Sequence, residues 1–345
     1  MSFLAAIALA TVLGPSNGLR PIQVPTPPMV CFPIEAPPTV DATSWMVWSV
    51  GEDAELGSFN PDTQRAPASI TKLMTAILVA ERAALTNTVV ISAAADATPI
   101  GYVGQPDVRQ GEVWTVRDLM VNILVQSGND AAVALAEHVS GNLPAFVALM
   151  NDRAEALGMT RTVFVNPHGL DTAGHLSTAR DLIFLGRAGL AYPEILRLSR
   201  IKAISFDPGG RPMELTATNR DLGVFPGLYG LKTGDTLAAG QTFLSYTEGQ
   251  DDGYLVVVLG SRNRRQMTRE LIAWGQTALG PRDRFFAAAS GTDLTIDFPE
   301  WYLPRVAAAG PLDGGNPGAP TSTPLTDSLD DAFRLLLPVV LGGGA

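Results

Sequence analysis

The order of strand-like and helical segments most strongly restricts the fold of this 345-residue chain. Five runs rich in β-branched and aromatic residues are predicted to be strands, at residues 44–50, 54–59, 228–236, 241–246 and 254–260. Helical periodicity dominates the region between the second and third runs. Strands at both ends with helices between them predict an α+β domain with a mostly antiparallel sheet flanked by helices.

The helical region contains recognisable start and stop signals. The spacing of Thr115 and Asp118 predicts a capping box at the start of one helix, and Gly158 is expected to end another. Helices are predicted from residue 69 to before residue 84, from 115 to about 124, from about 131, from 143 to 157, from about 177, and from 264 to 279. Residues 86–112 are interpreted as loops and short pieces.

Composition excludes several classes of function. The net charge of −10 lacks the basic surface that nucleic acid binding needs. A single cysteine, Cys31, excludes an intrachain disulfide and any site built from several cysteines. The three histidines, His138, His168 and His175, lack the spacing of a zinc hydrolase. We therefore expect no metal site and no cofactor.

The N-terminal residues predict export. Residues 3–13 form an apolar run that is too short for a comfortable membrane span and suits the core of a signal peptide, although no Lys or Arg precedes it. A buried N-terminal helix is the alternative. We assign residues 1–20 to a signal peptide and residues 21–40 to a proline-rich, extended lead-in. Export predicts a periplasmic protein, either free or associated with the inner membrane.

The C-terminal residues carry a weaker signal. Residues 281–325 are predicted to be a short extension and a linker, and residues 326–345 form an apolar tail. Pro338 interrupts this tail, which is too short to cross a bilayer. It either docks on the body or makes weak contact with a membrane surface. We expect the protein to partition mostly as a soluble one.

The segment around residues 67–75 places a hydroxyl beside an amine. Ser69 and Lys72 are three positions apart, so in a helix they project on the same side. A separate apolar stripe follows helical spacing, at Ile70, Leu73, Met74, Ile77 and Leu78. The pattern predicts a nucleophile beside a base. A surface Ser and Lys on an ordinary amphipathic helix is the alternative.

Two further short motifs occur in suitable structural contexts. Ser127, Gly128 and Asn129 lie on the predicted tight turn between two helices, where Gly128 is expected to supply backbone freedom. Residues 232–234, Lys-Thr-Gly, lie on a predicted strand entered from a Pro-Gly turn. Each motif alone is weak, but the three in this order are typical of serine enzymes that react with penicillin.

The sequence around these motifs resembles that of the low-molecular-mass D-alanyl-D-alanine carboxypeptidases, penicillin-binding proteins of serine peptidase family S11. The matching stretches are residues 67–75, 127–132, 166–170 and 230–234, and the resemblance runs from about residue 40 to residue 280. It implies a catalytic domain at residues 41–280 with a DD-peptidase/β-lactamase-like fold that includes an all-helical subdomain.

The resemblance also implies roles for the residues that react. Ser69 would attack the bond between the last two D-alanines of a peptidoglycan stem peptide and form an acyl-enzyme. Lys72 would take its proton, which requires a neutral amine and therefore a lowered pKa; burial and the positive Lys232 both act in that direction. Ser127 would relay a proton to the departing amine.

Other positions are implied to bind the substrate. Asn129 would offer its amide to the peptide, and Lys232 and Thr233 would hold the terminal carboxylate, with Gly234 completing that motif. Arg264 matches an arginine of the family and would assist there, although Arg262 and Arg265 are neighbours.

Asp235 departs from the family pattern. The oxyanion hole would use the backbone N–H groups of Ser69 and of Asp235, where the family commonly has His or Tyr. Only the N–H is needed, but a carboxylate there is unfavourable unless it points away or is paired. We therefore expect Asp235 to alter substrate preference or pH dependence.

Two acidic or basic side chains have both a chemical and a structural interpretation. His168 resembles a family motif, although a histidine in an Asn-Pro-His-Gly turn is more often structural. Asp181 belongs either to the surroundings of the lysines or to a helix cap. A Ser-His-Asp triad is disfavoured because no G-x-S-x-G elbow is present.

The expected partners are peptidoglycan stem peptides and, as covalent inhibitors, β-lactams. A D,D-endopeptidase uses the same chemistry and stays open as an alternative. A class A-like β-lactamase is the nearest competitor, although those enzymes typically have Ser-Asp-Asn in the second motif and a deacylating glutamate that we cannot place here. A non-catalytic cell-wall-binding protein is the alternative from a different class.

Overall fold

A computed structural model of the chain describes residues 36–99, 108–248 and 253–278. The predicted signal peptide, the C-terminal linker and the apolar tail lie outside these residues, as does most of the proline-rich lead-in. Their assignments, and the bounds of the catalytic domain at residues 41–280, stay predictions.

The described strands and helices are as follows. The strands are β1 (Ser44–Ser49), β2 (Ala54–Phe59), β3 (Thr88–Val90), β4 (Val113–Thr115), β5 (Ala203–Phe206), β6 (Met213–Thr216), β7 (Leu228–Thr236), β8 (Gly240–Glu248) and β9 (Gly253–Ser261). The helices are α1 (Thr71–Arg82), α2 (Ala93–Asp96), α3 (Val116–Val121), α4 (Asn129–Ser140), α5 (Leu143–Ala156), α6 (Ala179–Leu190), α7 (Pro193–Ser199) and α8 (Arg264–Ala278).

The central sheet joins the two ends of the described chain. Its five strands have the order β2-β1-β9-β8-β7, and every neighbouring pair is antiparallel. β7 is therefore an edge strand, bonded to β8 on one side only. An antiparallel edge strand turns alternate backbone N–H and C=O groups away from the sheet, which leaves them available to other groups.

Both faces of this sheet are covered. Met46 points into the larger hydrophobic cluster, which includes α1 and α6, whereas its neighbour Val47 points into a second cluster with α8. Successive strand residues face opposite sides, so a strand between two layers must be apolar on both. This explains the continuous apolar run at 254–259, where every residue is buried.

The helical part packs around α1. Residues 71–79 of this helix are all buried, including the polar Thr71, Lys72 and Thr75. Among the described residues, no single helix is long and apolar enough to cross a membrane; α4 and α5 pass such a test only together, and the chain bends by 86° between them.

The predicted α+β fold with an antiparallel sheet is confirmed. Thr115 is the predicted helix N-cap, since its hydroxyl accepts a hydrogen bond from the Asp118 N–H at 3.1 Å. The Asp118 carboxylate accepts from the Thr115 hydroxyl at 2.7 Å, in place of the backbone N–H that a full capping box would use. The helix predicted from residue 69 begins instead with a 3-10 turn, Ala68–Ile70, and the one predicted through residue 124 changes to a π-helical turn at Asn122–Gln126. α7 and the β5–β6 hairpin were not predicted.

Candidate active site

The 3-10 turn at Ala68–Ile70 presents Ser69. Side chains three residues apart nearly eclipse in a 3-10 turn, so Ser69 and Lys72 stand over one another at its junction with α1. Lys72 Nζ lies 2.8 Å from Ser69 Oγ. The preceding Ala68 is fully buried with φ of +51°, a conformation that costs a non-glycine residue about 1 kcal/mol or more. The surrounding contacts hold this strained turn in place.

Lys72 makes three polar contacts while fully buried. Besides Ser69 Oγ, its Nζ contacts Asn129 Oδ1 and the His168 carbonyl oxygen, both at 2.7 Å. Burial, followed by the positive charge of Lys232, holds the pKa of Lys72 well below the usual 10.5, and the negative charge of Asp130 opposes this shift. The surroundings therefore favour the neutral amine.

Ser127 follows the π-helical turn and adopts the left-handed conformation, with φ of +76°. Its N–H donates to the Asn122 carbonyl at 2.9 Å, and within the described residues its hydroxyl has no hydrogen-bond partner. The expectation that Gly128 supplies the backbone freedom is wrong, because Gly128 has φ of −56°. Glycine is needed there for space: a Cβ would lie 2.0 Å from Asn122 Oδ1.

Asn129 is held at both ends of its amide. Oδ1 accepts from Lys72, and Nδ2 donates to the Pro99 carbonyl at 2.8 Å. One amide N–H is left for a substrate. The arrangement thus assigns Asn129 the task of orienting Lys72 in addition to the predicted contact with the peptide.

The third motif lies on β7, next to the nucleophile. Lys232 is buried, and burial, followed by the positive charge of Arg264, lowers its pKa to about 7. The Thr233 hydroxyl lies 2.6 Å from that of Thr218. A Cβ at position 234 would lie 2.9 Å from the Ser69 backbone nitrogen, so Gly234 lets the edge strand approach the Ser69 turn closely.

Of the neighbouring arginines, Arg264 is the one that reaches this motif. Its Nη1 donates to the Gly234 carbonyl at 2.9 Å and lies 3.7 Å from Asp235 Oδ2. Arg262 pairs with Asp41 at the surface, and Arg265 binds the buried Asp221. Asp235 is half-exposed and paired, which meets the condition stated for a carboxylate at this position.

The turn at residues 166–169 contributes backbone rather than imidazole chemistry. Asn166 Oδ1 accepts from the Gly169 N–H at 2.6 Å, as in an Asx-type turn. The His168 carbonyl accepts a hydrogen bond from Lys72. Burial and the charge of Lys72 lower the pKa of the His168 imidazole to about 3, so this ring stays neutral. A Cβ at Gly169, whose φ is +90°, would lie 1.9 Å from the Ala68 carbonyl oxygen.

Sequence reasoning missed two buried residues near the site. His175 lies 2.8 Å from the Thr71 hydroxyl through Nε2, while Nδ1 accepts from the Val165 N–H at 3.0 Å. The second bond requires the proton to be on Nε2, which then donates to Thr71. Asp130, whose charge acts on Lys72, accepts from the Val108 and Ala131 N–H groups. Asp130 lies in the matching stretch 127–132, which implied no role for it, and His175 lies outside all the matching stretches.

Asp181 is a structural residue. It lies at the start of α6 and accepts from the Arg161 N–H and the Thr162 hydroxyl, which ties a loop to the helix. The N-cap of α6 is Thr178, so Asp181 is an acid in the first helical turn that binds the loop, not the cap itself. Within residues 36–99, 108–248 and 253–278, no group of three or more His, Cys, Asp or Glu side chains is arranged to hold a metal ion.

The chain is similar in sequence to characterised peptidases. Residues 33–263 match the family described as D-alanyl-D-alanine carboxypeptidase, peptidase S11. D-alanyl-D-alanine carboxypeptidase DacC of Escherichia coli K12 is 34% identical over 262 residues, covering 70% of this chain and 62% of that protein. DacD of the same organism is 30% identical over 342 residues, covering 89% and 84%.

Solved structures agree with this. Penicillin binding protein 6B from E. coli matches with a TM-score of 0.65 and 32% identity, over 72% of this chain and 82% of that one. Penicillin-binding protein D2 from Listeria monocytogenes, in its cefotaxime-bound form, matches with a TM-score of 0.62 and 31% identity, over 70% and 100%.

Coverage of the relatives is partial. The aligned region spans 62% of DacC and 64% of the DacD of Salmonella typhimurium, which is also 34% identical. The family match and the similarity in fold nevertheless extend over most of the described residues. The chain belongs to the D-alanyl-D-alanine carboxypeptidase family of serine peptidases.

Proposed function

We propose that this protein is a serine-type D-Ala-D-Ala carboxypeptidase that removes the terminal D-alanine of peptidoglycan stem peptides through an acyl-enzyme on Ser69. The family and the names of the relatives support this activity. Within the site, the observation that carries it is the set of contacts around the Lys72 amine.

A neutral lysine amine has two N–H groups and one lone pair. Two of the Lys72 contacts, Asn129 Oδ1 and the His168 carbonyl, can only accept hydrogen bonds. When Lys72 is neutral they take both N–H groups, and the lone pair is left for the Ser69 O–H at 2.8 Å. The same three contacts would also satisfy a protonated lysine. The lowered pKa of Lys72 is therefore what favours the neutral amine, which can act as a base.

Acylation then follows from these positions. The Ser69 oxygen attacks the carbonyl carbon of the scissile bond while its proton passes to Lys72. Collapse of the tetrahedral intermediate breaks the C–N bond, and the proton travels from Lys72, by way of the Ser127 hydroxyl, to the departing D-alanine amine. Lys72 is neutral again and able to deprotonate the water that hydrolyses the ester.

The substrate is held by its terminal carboxylate and by its backbone. Lys232 and Thr233 would bind the carboxylate, with Arg264 adding positive charge beside them. The free side of β7 offers backbone groups to an extended peptide, as in strand addition. Gly234 brings this strand to the Ser69 backbone, where two N–H groups would stabilise the oxyanion.

The same site supports reaction with β-lactams. The Listeria protein is similar to this chain in fold and was determined in cefotaxime-bound and ampicillin-bound forms. We propose β-lactams as covalent inhibitors of Ser69 here. A fluorescent penicillin should label the wild-type protein and not Ser69→Ala; equal labelling of both would contradict a Ser69 acyl-enzyme.

The activity is tested by release of free D-alanine from a stem pentapeptide, compared with hydrolysis of benzylpenicillin and cleavage of a cross-linked stem-peptide dimer. We expect D-alanine release from the pentapeptide that is abolished in Ser69→Ala. Faster turnover of penicillin than of the pentapeptide would favour the β-lactamase. Cleavage confined to the dimer would favour the endopeptidase, and no turnover with an intact fold would favour the binding protein.

We also propose that the protein is exported to the periplasm. The apolar run at residues 3–13 supports a signal peptide. Fractionation of cells that express the full chain should recover a shortened protein in the periplasm, with most of it soluble. Full-length protein in the cytoplasm would contradict export, and membrane retention that is lost on deletion of residues 326–345 would assign an anchoring role to the tail.

A further inference from the structure

The Asp171 carboxylate connects the loop after the Asn-Pro-His-Gly turn with the end of β7, on the other side of the site. One carboxylate oxygen accepts from the Thr236 hydroxyl at 2.6 Å, and the other accepts from the Ala238 N–H at 3.0 Å. Asp171 lies on the loop that follows the Asn-Pro-His-Gly turn, whereas Thr236 ends β7 and Ala238 lies in the turn to β8. The carboxylate therefore connects segments 65 residues apart in sequence.

The loop that carries Asp171 is fixed to the nucleophile. The carbonyl of His168 accepts from Lys72 at 2.7 Å, and that of Pro167 accepts from Thr75 at 2.6 Å. Gly169 packs so closely that a Cβ would meet the Ala68 carbonyl oxygen. Any group bound to this loop is therefore held at a set position relative to Ser69.

The strand that Asp171 holds carries the other half of the proposed oxyanion site. Asp235 lies between Gly234, which is packed against the Ser69 backbone, and Thr236, which binds Asp171. On the opposite side, Arg264 binds the Gly234 carbonyl. The short stretch around Asp235 is thus held by one charged side chain before it and by another after it.

We infer that Asp171 is a positioning residue for the reaction at Ser69: it holds the end of β7 against the 166–171 loop and so keeps the Asp235 N–H opposite the Ser69 N–H. This inference rests on the proposed function. It also explains why an exposed aspartate takes two hydrogen bonds from one turn. The Thr236 hydroxyl, which also accepts from the Ala239 N–H, transmits the contact into the turn.

The test compares Asp171→Ala, Asp171→Asn and Asp152→Ala, since Asp152 is an exposed carboxylate on α5, outside the 166–171 loop. The readouts are the rate constant of acylation by a fluorescent penicillin and the affinity of the preceding complex. Asp171→Ala should slow acylation by about 10-fold or more, because small displacements of catalytic groups are costly. The affinity should change little, since Lys232 and Thr233 are left in place.

Asp171→Asn should recover much of the rate. Its amide oxygen can accept from the Ala238 N–H, and its N–H can donate to the Thr236 hydroxyl. Asp152→Ala should match the wild type. If Asp171 only stabilised the fold, Asp171→Ala would lower the thermal unfolding midpoint. The acylation rate constant would then not fall while the affinity stayed the same, and this result would contradict the inference.

Amide hydrogen exchange of residues 237–239 gives a readout independent of activity. We expect faster exchange there in Asp171→Ala, together with slower acylation. Faster exchange with an unchanged acylation rate would overturn it, and so would unchanged exchange. A wild-type protein that penicillin does not acylate would instead overturn the proposed function, so the two failures are distinguishable.

Discussion

The amide oxygen of Asn129 accepts a hydrogen bond from the buried Lys72 amine at 2.7 Å. The same amide is fixed through its nitrogen to the Pro99 carbonyl, so its oxygen cannot turn away from the lysine without breaking a second bond. A neutral acceptor at this point orients the amine and adds no charge that would keep it protonated. The identity of residue 129 thereby controls whether Lys72 acts as a base.

We predict that Asn129→Asp impairs acylation through the pKa of Lys72. A carboxylate at this distance favours the ammonium and raises a lysine pKa by about 1 to 3 units, so acylation at neutral pH should fall by about 10-fold or more. Raising the pH should restore part of the rate. The pH profile of penicillin acylation measures this, with Asn142→Asp, at the N-cap of α5, as control. An unshifted profile would rule the explanation out.

Lys232 should set the alkaline limit of activity. Its pKa is about 7, so the charge that binds the substrate carboxylate is present below that pH and is lost as the pH rises through it. We expect kcat/KM for the pentapeptide to decline above about pH 7. Lys232→Arg keeps its positive charge at higher pH, so the alkaline decline of kcat/KM in this variant should move up by about one pH unit or more. The exposed Lys202→Arg is the control; the same limb in all three proteins would disprove the assignment.

Gly234→Ala should separate β7 from the nucleophile. The added Cβ would lie 2.4 Å from Thr242 Oγ1, 2.8 Å from Ala68 Cβ and 2.9 Å from the Ser69 nitrogen. A shift of about 1 Å at a reacting centre costs about 100-fold in rate, which is the expected loss of acylation. Gly223→Ala, with φ of +70° and no atom within 4 Å of its Cβ, should lose stability but not acylation rate. Comparable acylation rates in both variants would refute the close approach.

Asp235 should moderate the positive charge beside the carboxylate clamp. It lies 3.7 Å from Arg264, and at half exposure such a pair is worth about 1 kcal/mol or less. Asp235→Asn should therefore lower KM for the pentapeptide by only about 2- to 5-fold, with a larger effect at low salt. Asp235→His, the residue type common in the family, should alter the pH profile of acylation. Profiles that coincide with the wild type would eliminate this role.

Local and periodic features of the fold could be predicted from the sequence. The strand pair at 44–59, the helix N-cap at Thr115 and the helix from residue 264 depend on neighbouring residues, and the structure has them at these positions. The β5–β6 hairpin and α7 were missed because they are short and packed by tertiary contacts. The π-helical turn was missed because its sequence continues an ordinary helical pattern.

The three motifs could be predicted to meet, but not what holds them. The structure brings Ser69, Lys72 and Asn129 into direct contact and places Gly234 against the Ser69 backbone. The supporting contacts, such as His175 to Thr71 across 104 residues, have no local signature. The left-handed Ser127 could not be predicted either, because its glycine neighbour was the expected site of that conformation.

Burial and a neighbouring positive charge keep the pKa of both active-site lysines below the usual value; the neighbour is Lys232 for Lys72 and Arg264 for Lys232. The chain has three lysines, Lys72, Lys202 and Lys232, and Lys202 is exposed. NMR titration of protein labelled with 13C at lysine Cε therefore gives three signals, assigned with Lys72→Met and Lys232→Met. We expect the Lys232 signal to titrate near pH 7 and the Lys72 signal to titrate well below 10.5. Titration of both only near 10.5 would contradict it.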